Sequence, residues 1–190
     1  FVALMNQKAV SLGMDQTHFA NASGVEDPTQ LSTARDIAAM SCELLKHEKV
    51  KSYTTIWMDQ IRGGKTEVVN TNRLARFYDG CTGLKTSFTE ATKHCISASA
   101  ARNGISFVAV SLESDSADSN FSAARSLLDY GFANYTIAVP EFDTSQILPL
   151  KVTGGIKTET LPVCDPVDGV VVPVGREKDI EVELVQSEEI

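Results

Sequence analysis

The 190-residue chain has little of what metal chemistry or nucleic-acid binding requires. Its four cysteines, Cys42, Cys81, Cys95 and Cys164, are widely separated and form no Cys-x-x-Cys pair, and none of its three histidines, His18, His47 and His94, stands at metal-ligand spacing to them. A zinc-type site is therefore not expected, no cofactor is called for, and the cysteines are expected as buried free thiols rather than as a disulfide frame. No apolar run approaches the roughly 18 residues of a membrane-spanning helix. Basic residues are in deficit, 17 against 25 acidic for a net charge of -8, which argues against nucleic acid or an anionic membrane as the main partner. Internal repeats and low-complexity segments are also missing. The chain opens on Phe1-Val2-Ala3-Leu4-Met5 with neither an initiator methionine nor the basic-then-apolar order of a secretion signal. The expectation is a piece of a longer protein, with any membrane association carried by segments outside this sequence.

Apolar content of 43% with 22% charged residues suits a globular chain, long enough for one substantial domain or a domain plus a small module. Phe1, Leu4, Met5, Ala9 and Leu12 fall at helical spacing ahead of Gly13. Residues 14–30 read as loop, with Thr17, His18 and Asn21 fixing it. Ser32 or Thr33 then caps a helix striped by Ile37, Met40, Leu44 and Leu45, and Asp36 suits the positive end of its dipole. Between Tyr53 and Val69 two β-prone runs flank Arg62-Gly63-Gly64-Lys65, which predicts a hairpin with Tyr53 and Trp57 packed beneath it. Apolar runs on either side of Asn103-Gly104, from Cys95 to Leu112, predict two strands central in a sheet. After a polar loop, 113–119, the residues Phe121, Ala124, Leu127, Leu128 and Phe132 mark a helix lying across that sheet. From about Tyr135 the chain turns rich in Val, Thr and Ile, with turn signals at Gly154-Gly155, Asp165-Pro166 and Asp168-Gly169. The alternation of Ile180, Val182 and Leu184 predicts strands there, and the acidic run Asp179, Glu181, Glu183, Glu188 and Glu189 a solvated face. The fold class is α+β followed by a small all-β module.

The stretch Gly80-Cys81-Thr82-Gly83-Leu84-Lys85-Thr86-Ser87-Phe88-Thr89 is the passage that reads as chemistry. A lysine beside a threonine on a strand edge can act on a bound anion, the ammonium through its field and the hydroxyl through a hydrogen bond. Taken with Met5-Asn6-Gln7-Lys8-Ala9, Leu12-Gly13-Met14, Thr17-His18-Phe19-Ala20-Asn21, Ser32-Thr33-Ala34-Arg35-Asp36, Asn72-Arg73-Leu74 and Leu127-Leu128-Asp129-Tyr130-Gly131-Phe132, it resembles the penicillin-binding D-alanyl-D-alanine carboxypeptidases over about residues 1–135.

The resemblance implies a β-lactamase/transpeptidase-like domain, an antiparallel sheet packed with helices, over residues 1–137, and a β-rich C-terminal module over 138–190. It implies a bacterial envelope enzyme, extracytoplasmic, that removes the terminal D-alanine from peptidoglycan stem peptides ending in D-Ala-D-Ala through an acyl-enzyme, with β-lactams as inhibitors. Lys85 would be the catalytic lysine facing the nucleophile, and Thr86 and Ser87 substrate-binding residues. Two departures accompany it. The motif's glycine is replaced by Ser87, and the position where such enzymes often carry a carboxylate-binding arginine falls on Asn120, with Arg125 a substitute only if the helix is turned differently. No serine in the sequence begins a Ser-x-x-Lys or Ser-x-Asn motif, so the chain alone is expected to be inactive. A non-catalytic wall-binding relative and a β-lactamase on the same scaffold are the competing expectations, the second disfavoured by the β-rich tail.

Overall fold

The computed structural model describes residues 1–163 and 168–187, and Cys164, the Asp165-Pro166 turn signal, Glu188 and Glu189 lie outside them. The chain forms two compact units, Phe1–Ala133 and Asn134–Ile190.

In the first unit, α1 (Val2–Ser11) buries Ala9, while Phe1 and Leu4 stay exposed. In α2 (Ala34–Leu45) Thr33 is the N-cap, its hydroxyl accepting the Asp36 N–H at 3.2 Å, the bond that satisfies an otherwise orphaned donor of the first turn. Asp36 has a second task. Its carboxylate accepts the Thr17 hydroxyl at 2.7 Å and the Gln16 N–H at 3.0 Å, so it ties the 14–30 loop to α2. The Thr17 bond is the main reason its carboxyl lies below the usual carboxylate range. Asn21 fixes the same loop through the Gly24 N–H and the Val25 carbonyl, and His18 pairs backbone to backbone with Leu31.

At two places the structure departs from the pattern the sequence predicts. Tyr53 belongs to α3 (Glu48–Thr54), not to a strand, and is exposed. Within α2, Leu44 is exposed, and the residues that helix buries are Asp36 and Ser41, five positions apart. The hairpin itself is present: β1 (Met58–Ile61) pairs antiparallel with β2 (Thr66–Val69), and Arg62, Gly63 and Gly64 all take positive φ in the turn. Trp57 packs edge-on against Phe77 at 5.9 Å.

After the single turn α4 (Leu74–Phe77), β3 (Cys81–Thr89), β4 (Lys93–Arg102) and β5 (Ile105–Ser114) form an antiparallel sheet in the order β3-β4-β5. Only β4 is central; β5 is an outer strand among the described residues. The long helix α5 (Ala117–Asn134) begins earlier than expected, so the polar 113–119 segment is mostly strand end and first helical turn. Its Ala124 and Leu128 pack with Leu74, Tyr78, Ile96, Ala98, Ala100 and Ala109 in the core, and Phe107 and Phe132 meet edge to face at 5.0 Å beside it. Burial of this kind contributes about 1.5–3 kcal/mol per large apolar side chain. Leu127 is exposed, since it is one residue, about 100°, from Leu128 around the helix. On the opposite face of the sheet α2 lies against β4 and β5, where the buried hydroxyls of Ser41 and Ser97 bond at 2.7 Å.

In the second unit β6 (Tyr135–Ala138) pairs with β9 (Val170–Pro173), and β7 (Leu150–Lys151) with β8 (Glu159–Thr160). The compact units divide at 133/134, and β6, just after that division, takes its partner from β9. Ile180, Val182 and Leu184 form no ladder; alternation without a hydrogen-bonding partner does not make a strand. Among the described residues the cysteines Cys42, Cys81 and Cys95 are free, but Cys42 is exposed and the other two only half-buried, which corrects the expectation of buried thiols. Burial pushes the Cys81 thiol up. No described helix is long and apolar enough to cross a membrane.

Candidate active-site wall

Strand β3 carries the candidate residues, and the described residues leave its outer edge without a β partner. Register places Lys85 opposite Ser97, Thr86 opposite Ile96 and Ser87 opposite Cys95. Residues directly opposite share a face and successive residues alternate. Lys85 and Ser87 therefore lie on the α2 side, where Ser97 bonds Ser41, and Thr86 on the side of the Ile96 core. At the rim of an edge strand side chains from both faces reach the same approaching ligand, and the unpaired backbone groups offer it a ladder.

Lys85 is exposed, and its ammonium donates to the Thr86 carbonyl. It forms no ion pair with any described residue. Its charge is thus not consumed by a neighbouring carboxylate, unlike those of Lys8, Lys51 and Lys93. Ser87 is exposed as well.

The Thr86 hydroxyl meets that of Thr71, with 2.7 Å between the oxygens. Thr71 is held by its two neighbours. The Asn70 side chain accepts the Asn72 N–H at 2.9 Å and donates to the Ile56 carbonyl at 2.9 Å, and the Asn72 side chain accepts the Leu74 N–H at 3.1 Å just ahead of α4. Asn72 is 1% exposed. Thr71 was not singled out by the sequence, although the flanking asparagines, which favour side-chain-to-backbone turns, mark the segment as structured. A parallel set of bonds fixes the start of β3: the Thr54 hydroxyl donates to the Thr82 carbonyl at 2.6 Å, and Thr82 bonds Ser99 at 2.7 Å.

Asn120 faces inward, 3% exposed, where it accepts a hydrogen bond from the Ser114 hydroxyl at 3.2 Å. Arg125, five residues on, is roughly 140° away around α5 and lies over the Tyr78 ring at 6.0 Å. It lines a shallow recess with Arg73, Phe77, Asp118 and Phe121, in which Arg73 bonds Asp118 at 2.7 Å. The structure thus brings Lys85, Thr86 and Ser87 together with Thr71, and leaves Asn120 and Arg125 occupied elsewhere. No described group of histidine, cysteine or carboxylate side chains could hold a metal ion.

Comparison with known proteins points to one family. The model of the D-alanyl-D-alanine carboxypeptidase peptidase family matches residues 1–116. The chain is 36% identical over 138 residues to the D-alanyl-D-alanine carboxypeptidase DacF of Bacillus subtilis, covering 71% of this chain and 36% of that protein. Against DacC of Escherichia coli the identity is 26% over 189 residues, covering 99% of this chain and 47% of the relative. Among solved structures, the DD-transpeptidase of a Streptomyces strain superposes with a TM-score of 0.64 at 27% identity, over 70% of this chain and 53% of that one. A penicillin-binding protein of Listeria monocytogenes in its cefotaxime-bound form does so with a TM-score of 0.64 at 30% identity, over 69% and 54%. The chain spans about half or less of the length of the curated relatives it matches. With the family model matched over more than half its length, this chain belongs to the D-alanyl-D-alanine carboxypeptidase family.

Proposed function

We propose that this chain forms one wall of the cleft of a serine-type carboxypeptidase that removes the terminal D-alanine from peptidoglycan stem peptides, outside the cytoplasm, and that β-lactams acylate. The nucleophile comes from sequence beyond these residues, since no serine here has the required spacing. The observation that carries the reading is the open edge of β3 among the described residues, with Lys85 outside any described ion pair beside a hydroxyl-bonded Thr86. A peptide lying antiparallel along that edge gains backbone hydrogen bonds. The Thr86 hydroxyl donates to its terminal carboxylate, and the Lys85 ammonium supplies positive field where the serine is deprotonated and the oxyanion develops. Each contribution is electrostatic and preorganised, which suits residues held on a strand rather than on a loop.

A fluorescent penicillin tests this. The intact protein is expected to become covalently labelled and to release D-alanine from a D-Ala-D-Ala peptide, while the 190-residue chain does neither. An intact protein that carries the serine motif yet neither labels nor releases D-alanine would refute the reading.

Ser87 and Asn120 favour a second reading, a binding protein on the same scaffold. Ser87 adds a side chain where close backbone approach is needed, and Asn120 is turned into the fold. In that case the intact protein binds wall peptide without turnover. Hydrolytic turnover of penicillin, rather than a lasting adduct, would instead mark a β-lactamase.

A further inference from the structure

We infer that Thr71 is the positioning residue for Thr86, fixing the direction of its hydroxyl proton toward a ligand carboxylate. The inference rests on the reading of Thr86 as part of the cleft wall. Among the described residues the two hydroxyls have each other as their only side-chain hydrogen-bond partner, 2.7 Å apart. A hydroxyl has one proton to give and two lone pairs, so the pair has two arrangements. In one, Thr86 donates to Thr71 and has no proton left. In the other, Thr71 donates to Thr86, and the Thr86 proton points away from Thr71.

A carboxylate only accepts hydrogen bonds. It is therefore held by Thr86 in the second arrangement alone, and its arrival selects that arrangement. The chain of donors, Thr71 to Thr86 to carboxylate, polarises each link, so the outer bond is stronger than one from an isolated threonine. Thr71 is suited to this because its backbone is already fixed: Asn70 and Asn72 bond on either side of it, and Asn72 is 1% exposed. Little ordering remains for the ligand to impose. The arrangement matters more in this chain than in one with a nearby cation at the helix start, since Asn120 is neutral, buried and bonded to Ser114.

The test uses the intact protein and acylation by a fluorescent penicillin, whose carboxylate stands in for the peptide terminus. Thr71→Val is expected to weaken binding about tenfold, the value of one hydrogen bond to a charged group, as a higher concentration at half-maximal rate with the limiting rate held within about twofold. Thr71→Ser keeps the hydroxyl and is expected to restore most of the loss, whereas Thr71→Ala, which removes it without placing a new methyl, behaves like Thr71→Val. In a Thr86→Val background Thr71→Val should add nothing. An unchanged binding constant in Thr71→Val and Thr71→Ala, a Thr71→Ser as impaired as Thr71→Val, or fully multiplicative losses in the double variant would each overturn the inference. If Thr86→Val itself acylates normally, the cleft reading of Thr86 fails; if only the Thr71 variants are normal, that reading stands and this one falls.

Discussion

Ser87, which by the resemblance stands in place of a motif glycine, lies on the exposed rim of β3 and opposite Cys95 in the ladder. A serine there does nothing to the strand itself, because its side chain points to solvent. Its effect is on what approaches. Glycine permits the nearest backbone approach, so Ser87→Gly in the intact protein is expected to raise the rate of penicillin acylation about threefold to tenfold, equivalent to roughly 0.7–1.4 kcal/mol of relieved crowding. A rate that is unchanged or lower would show that ligands do not lie against this position. Lys85, Thr86 and Ser87 stand out as candidates in the sequence because three adjacent residues on one strand form a local pattern. Thr71 was not, because its meaning depends on a contact across 15 positions of sequence that no spacing announces. Asn120 shows the opposite limit: the resemblance located the position, but only packing reveals that its side chain is spent on Ser114.

At the scale of elements, β4, β5 and their Asn103-Gly104 turn could be read directly, since two apolar runs around a turn dipeptide leave little choice, and α5 announced itself by its periodicity. Two misreadings of strands share one cause. Tyr53 is β-prone, yet the helical run from Glu48 absorbs it; Ile180, Val182 and Leu184 alternate, yet find no ladder. A strand exists through its partner, and partners are distant in sequence. The entry to β3 illustrates how a backbone position enforces the register. Gly80 has φ +71°, and a Cβ there would fall 2.4 Å from the Ala101 carbonyl oxygen, while Gly24, with φ +78°, has open space around it. Gly80 also accepts the Ala101 N–H at 2.8 Å. Gly24→Ala should therefore cost about 1–2 kcal/mol, the left-handed backbone penalty alone, and Gly80→Ala about 2–4 kcal/mol, since backbone must move as well. Urea denaturation of the intact protein measures both, and equal costs would contradict the crowding seen at Gly80.

Taken whole, the chain holds a sheet with helices on both faces and, separately, a β-rich unit of four short described strands. Its family is fixed by the match over residues 1–116, and its length is about half or less of those relatives. The catalytic claim consequently concerns the intact protein and rests on a division of labour: a serine supplied by other sequence, and a cation and a hydroxyl supplied by β3. Lys85 is the part of that claim this chain owns outright. Exposed and outside any described ion pair, it holds little of the fold together, so removing it should separate chemistry from stability. The direct measurement is the second-order rate of penicillin acylation of the intact protein against its Lys85→Ala variant, with thermal melting followed in parallel. A fall of about 100-fold or more, the scale of losing one preorganised charge-stabilising group, with an unaltered melting temperature is the predicted result. Acylation of the variant at the wild-type rate would remove Lys85 from the site and with it the central claim.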